Sequence, residues 1–223
     1  MNPPTAEVRI WDLPTRAFHW CLAACVVGSV ASAKAGAMVW HFRFGYVIFT
    51  LLVFRILWGL FGGRWSRFTS FLYAPGTVLR YLRGDAGPGG RLDVGHNPLG
   101  AMSVFAVLGI LAVQVGTGLV ADDEIANLGP LNPLVSSANA LLATGWHKTW
   151  GQWVILGLVG LHVAAIAFYT WRGKGLIGAM VSGDKALPAD TPAATDSVAT
   201  RALAAVLLAL SAGLVWWVVS LGG

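Results

Sequence analysis

Five histidines carry the chemistry this chain could do: His19, His41, His96, His147 and His162. All five lie in or beside long apolar stretches. An ionisable side chain inside a membrane is costly enough to count as a functional hypothesis by default, although a single one also serves structurally by bonding a neighbouring helix. Cys21 and Cys25 sit one helical turn apart in an apolar run, with neither a CxxCH attachment motif nor metal-site spacing. They read as buried thiols.

The elements that position these residues follow from composition. Of the 223 residues 56% are hydrophobic and 11% charged, against roughly 45–50% and about 25% in a soluble domain. So few charges cannot cover a water-exposed surface, which excludes a soluble domain, a disordered chain and a nucleic-acid-binding protein despite the net charge of +5. The sequence is that of an all-α integral membrane protein. A crossing helix needs about 20 mostly apolar residues, and five segments qualify: Pro14–Ala37, Met38–Phe61, Pro98–Ala121, Gly145–Trp171 and Ala202–Leu221. Asp12 stands where the first helix needs an N-cap, and Pro14 fits its first turn. Ala31-Ser32-Ala33 loosely resembles a secretory cleavage site. The polar leader with Glu7 and Asp12, and His19 early in the apolar run, favour a retained span instead.

Charge then orients the spans. Arg9 and Arg16 precede the first; Arg64, Arg67, Arg80, Arg83 and Arg91 lie between the second and third; Arg172, Lys174, Lys185 and Arg201 lie between the fourth and fifth. Lys34, Arg43 and Lys148 fall near the other side, with Asp122, Asp123 and Glu124. The positive-inside rule predicts a cytoplasmic N-terminus and a C-terminus outside, and Trp40, Trp58, Trp146, Trp150 and Trp171 near span ends suit an interfacial belt. In the long 62–97 connection, Phe71-Leu72-Tyr73 and Tyr81-Leu82 read as segments resting on the lipid surface. Its Gly87-Pro88-Gly89-Gly90 reads as a flexible turn. Residues 183–200, rich in Ala, Pro and Thr, read as a linker, and 201–223 as a helix appended to a four-helix domain over 1–182.

Alternating direction of the spans sorts four histidines by depth. His19 and His162 fall toward the cytoplasmic side, His41 and His147 toward the outer side. From His147 to His162 is roughly 60° of net rotation and about 22 Å of rise, so both face broadly inward at two levels. Two opposed imidazoles at one depth in a helix bundle are what axial ligation of a haem iron requires. Gly45 and Gly151 follow His41 and His147 by four residues each, which leaves room for a flat macrocycle; glycine is also common wherever membrane helices approach closely. Arg55 faces inward at the cytoplasmic level. Arg55 or Arg16 could meet a haem propionate, and Arg55 could equally snorkel to the interface. His96, in Gly95-His96-Asn97-Pro98, lies outside both pairs, and Gln114 is an unassigned polar group in mid-span.

These residues bring a family into view. Val8-Arg9-Ile10-Trp11-Asp12-Leu13-Pro14-Thr15-Arg16, Phe18-His19-Trp20, His41-x-x-x-Gly45, Phe54-Arg55-Ile56-Leu57-Trp58-Gly59, Gly95-His96-Asn97-Pro98-Leu99-Gly100, His147-x-x-x-Gly151 and Leu161-His162 span about residues 8–182. Over them the chain resembles the bacterial di-haem b-type cytochromes that include the membrane subunit of nickel–iron hydrogenases. The resemblance implies a four-helix transmembrane bundle holding two haem b groups, ligated by His19, His41, His147 and His162. It implies respiratory electron exchange between the quinone pool and an extracytoplasmic partner, either a periplasmic c-type cytochrome or hydrogenase subunits. Asp122-Asp123-Glu124 could steer a basic cytochrome or simply end a helix in solvent. Some smaller relatives oxidise superoxide, a second reading. A proton-relay transporter or scaffold without haem is a third. The fifth helix lies beyond the match.

Overall fold

The computed structural model describes residues 4–85 and 91–222, so the Gly87–Gly90 turn lies outside the described residues. Five helices are long and apolar enough to cross a membrane, and the molecule is a mostly helical multi-pass membrane protein. Strand β1 (Thr5–Arg9) leads into α1 (Leu13–Lys34). Asp12 caps α1 by accepting the Thr15 amide at 2.8 Å. Gly36, at φ 71°, lets the chain reverse at once into α2 (Met38–Phe61). A short surface helix, α3 (Pro75–Leu82), precedes α4 (Pro98–Val120), where Pro98 fills the first turn and Asn97 accepts the Gly100 amide at 2.7 Å.

The fourth span begins earlier than expected. Ser136 caps α5 (Ser137–Gly145), which runs through a π-helical turn (Trp146–Gly151) into α6 (Gln152–Trp171). Together they form one stretch of 35 residues. The apolar count from Gly145 missed the first two turns because they carry Ser137, Asn139 and Thr144. Then come α7 (Leu176–Ser182), β2 (Asp184–Pro188) and α8 (Val198–Ser220).

The chain divides into two compact units. The first comprises Met1–Ala17, Ile56–Phe105 and Leu161–Ala204. In it β1 and β2 pair antiparallel, Val8 opposite Lys185, and the amides of Ile10 and Trp11 donate to the Gly183 carbonyl at 2.8 and 3.1 Å. The expected linker is therefore a tied segment: Ala194 donates to the Arg9 carbonyl at 2.7 Å, the Trp65 indole to that of Pro192 at 2.8 Å, and Thr191 and Ala194 are buried. Arg9 bridges Asp184 and Asp196 at 2.5 and 3.0 Å, and Arg201 closes on Asp196 at 2.8 Å. Val8, Ile10, Trp11, Val94 and Ala179 pack beneath the ribbon.

Asp12 is fully buried here. Besides the Thr15 amide it accepts Ser66 Oγ at 2.7 Å and the Trp58 indole at 3.3 Å. Phe71, expected on the lipid surface, is turned inward. Its ring and that of Trp11 each lie 4.6 Å from the His96 ring, while Leu72 remains exposed. The reason is local: a 3-10 turn at Phe68–Ser70 rotates Phe71 toward Phe105, at 5.5 Å.

The second unit comprises Phe18–Arg55, Ala106–Gly160 and Ala205–Gly223. A Cβ on Gly28 would lie 2.7 Å from the Phe44 ring, so only glycine lets α1 and α2 approach there. α8 is no loose appendage: Leu207, Ser211 and Val215 form a buried stripe at helical spacing. In the 121–132 loop the Asp123 carboxylate accepts the amides of Ile125, Ala126 and Asn127. Bonds from the Asn127 side chain and these amides hold it well below the usual carboxylate range. The cysteine expectation needs correcting as well, since Cys21 is exposed on α1 and Cys25 half-buried.

Candidate functional site

Within the second unit, two of the expected histidines meet. His41 projects from the first turn of α2 and His147 from the π-helical turn. Their ring centroids are 5.8 Å apart and the planes cross at 84°. The Nδ1 of His41 lies 3.0 Å from the Ser29 carbonyl, and that of His147 lies 2.9 Å from the Gln114 carbonyl. A carbonyl oxygen only accepts, so an Nδ1 bonded to one carries the hydrogen and leaves Nε2 as the atom free to ligate. The Ser29 hydroxyl also lies 3.1 Å from His41 Nδ1.

The rings share a cavity of about 450 Å³ with apolar walls that include Val26, Val30, Leu111 and Ile155. Lys34, Lys148 and Asp123 also line it. A Cβ added to Gly45 would meet nothing within 4 Å, so that face of α2 is open beside His41. Gly151 behaves differently. Its missing side chain accommodates the Gln114 amide, and a Cβ there would collide with Gln114 Oε1 and stand 2.9 Å from Trp146 Nε1. Those two atoms are buried with no hydrogen-bond partner among the described residues. A Cβ on Gly118 would stand 2.8 Å from His147 Cε1.

Among the described residues no group of three or more His, Cys, Asp or Glu side chains is placed to hold a bare metal ion. Two opposed imidazoles suit a metal whose remaining ligands come from elsewhere, as from a macrocycle. His41 and His147, with the open space at Gly45 and the apolar cavity beside them, are the residues that would hold such a group.

His19 and His162 fall in different compact units. His19 is half-buried on α1, edge-on to Trp20 at 5.0 Å, and His162 is half-buried on α6. Arg55 is buried at 3% exposure, its guanidinium 6.0 Å from the Phe18 ring centre, so it does not snorkel to a surface. Arg16 donates through Nη1 to the Val181 carbonyl at 2.5 Å, and its buried Nε has no partner among the described residues. The spacing of histidines gave no notice of Ser29 or Gly118. The signal for Gly118 was its place one turn after Gln114 on α4.

The sequence profile of the prokaryotic cytochrome b561 matches residues 10–183. The chain belongs to that family. Curated relatives include the probable Ni/Fe-hydrogenase 1 B-type cytochrome subunits of Escherichia coli strain K12 and of Escherichia coli O157:H7. Each is 24% identical over 211 residues, covering 78% of this chain and 88% of the relative. No solved structure matches the chain. As a member of the b561 family the protein is a membrane b-type cytochrome of electron transfer, and the family implies haem b. The matched residues take in the first four crossing helices and stop just before β2, leaving α8 outside.

Proposed function

We propose that His41 and His147 are the axial ligands of one haem b and His19 and His162 those of a second, and that the chain carries electrons across the bacterial inner membrane. The observation that carries this reading is the His41–His147 pair: two rings 5.8 Å apart, each with Nδ1 on a backbone carbonyl. Bound haem supplies a one-electron couple, whose potential follows from axial ligands and surroundings. The residues do the rest. Ser29 and Gln114 fix the ring tautomers, the apolar walls exclude water, and Gly45 leaves room beside His41. Arg16 and Arg55 would serve the acidic edge of the second group.

The functional partners proposed are the quinone pool and an extracytoplasmic protein. A hydrogenase is favoured over a c-type cytochrome because the relatives' names say that they are hydrogenase subunits. The basic connections support a cytoplasmic N-terminus and a periplasmic C-terminus. Purified protein assayed as the pyridine haemochrome should contain two haem b per chain. His41→Ala and His147→Ala should each lose the same haem, leaving the other in place. A colourless preparation, or two variants with unrelated spectra, would refute the reading.

A further inference from the structure

Gln114 touches His147 twice. Its backbone carbonyl accepts the imidazole Nδ1–H at 2.9 Å, and its side-chain Nε2 donates to the His147 carbonyl at 2.8 Å. That carbonyl belongs to the π-helical turn Trp146–Gly151. Such turns are uncommon single insertions in an α-helix and interrupt its regular bonding, so a carbonyl inside one gains from an outside donor. The other end of the amide, Oε1, rests where a Gly151 side chain would be. It is buried without a hydrogen-bond partner among the described residues. Leaving a buried acceptor unpaired is costly, so the side chain is held in place by what Nε2 does.

We propose that Gln114 is the positioning residue for His147, its amide holding the π-helical turn at the His147 carbonyl so that the ring keeps facing His41. The inference rests on the assignment of His147 as a haem ligand. Partners that orient a metal ligand typically change affinity by 10–100-fold when removed, and this one acts on both the backbone and the ring of its ligand.

Two variants perturb the amide by independent routes. Gln114→Met keeps an unbranched chain of similar volume and deletes the donor. Gly151→Ala leaves Gln114 intact but places a methyl where Oε1 lies and 2.9 Å from Trp146 Nε1, and the flexible end of the glutamine side chain can swing away. Thr50→Val is the control, removing an intramembrane hydroxyl that donates to the Tyr46 carbonyl within α2. Three readouts apply: haem retained through a desalting column, the low-spin to high-spin ratio in the optical spectrum, and the midpoint potential. Nitrogen NMR of histidine-labelled, haem-free protein reports His147 ring order without any cofactor.

Both perturbing variants are expected to retain the haem at least tenfold less well than Thr50→Val, to gain high-spin character, and to broaden the His147 signals. The double variant should be no worse than the stronger single one. If wild type holds a haem lost in His41→Ala, yet both variants match Thr50→Val in retention, spin state and NMR, the positioning role is overturned and the ligand assignment stands. If wild type holds no such haem, the assignment itself has failed. The NMR comparison then still decides whether Gln114 orders the ring.

Discussion

Replacing Asp12 with Ala removes a side chain that is fully buried and accepts from three donors on two elements. Losing the cap on the Thr15 amide costs about 1 kcal/mol. Hydrogen bonds to a charged group are worth about 1.5–3 kcal/mol each, but Trp58 and Ser66 both keep a second partner in Thr15 Oγ1, at 3.1 and 2.6 Å. That redundancy reduces each of these two losses to about 1 kcal/mol. The expected destabilisation is about 3 kcal/mol, which for a chain of this size lowers the melting midpoint by about 6–12 °C. Asp12→Asn keeps an oxygen for the Thr15 amide and replaces the one that Ser66 donates to, so it should cost about 1 kcal/mol, or about 2–4 °C. Thermal unfolding of the detergent-solubilised protein, followed by tryptophan fluorescence at fixed detergent concentration, ranks the three proteins. Should Asp12→Ala melt within 2 °C of wild type, or Asp12→Asn melt as low as Asp12→Ala, the bond-by-bond reasoning is wrong.

Other expectations concern different parts of the molecule. The bond from Arg201, and then Arg9, holds Asp196 below the ordinary carboxylate range. Its contribution to stability is complete above the unfolded value of about 3.9 and is lost as pH falls through the lower native value. Protection against hydrogen exchange at Asp184–Pro188, corrected for the intrinsic pH dependence of amide exchange, should therefore fall between about pH 4 and 2 but not between pH 6 and 9; Asp196→Asn should flatten the profile, and an unchanged acid response in that variant would discount Asp196. Gly118→Ala puts a methyl 2.8 Å from the His147 ring and should cut haem retention about tenfold; full retention in a haemochrome assay would count against this contact. Ser211 is 1% exposed on α8, so Ser211→Phe should overpack the site by about 1–3 kcal/mol, measured as a lowered melting midpoint. No shift there would mean that α8 stands loose.

How much of this was legible depends on the kind of signal involved. Apolar runs mark crossing helices directly, and α2 starts and ends where the sequence placed it, because Gly36 and Gly62 punctuate both ends. The proximity of His41 and His147 was reachable from span direction and depth, since both sit near the same end of their helices. What holds them was not. A π-helical turn adds a residue to the helical repeat and shows no mark in the composition. The acceptors Ser29 and Gln114 act through backbone carbonyls, which any residue type supplies. The β1–β2 ribbon was hidden for another reason: Thr5–Arg9 and Asp184–Pro188 show no clean alternation. Their pairing draws on a core, Val8 to Ala179, assembled from distant segments. The 183–200 stretch, rich in Ala, Pro and Thr, has the composition of a linker, yet its Ala194 amide is bonded to Arg9 and its Pro192 carbonyl to Trp65.

The ribbon also acts as a parity check on membrane insertion. Residues 5–9 and 184–188 pair directly, so they must end on one face of the bilayer, and that holds only when an even number of crossings separates them. α1, α2, α4 and the α5–α6 rod supply four candidates. A chain in which any one of them failed to insert would leave the two strands on opposite faces, roughly 30 Å of hydrocarbon apart, with no means of meeting. Arg9 would then be separated from Asp184 and Asp196. The clasp can close only after about 180 residues have been made and threaded correctly, so its closure separates finished molecules from misinserted ones that quality-control proteases could find by their unpaired strands.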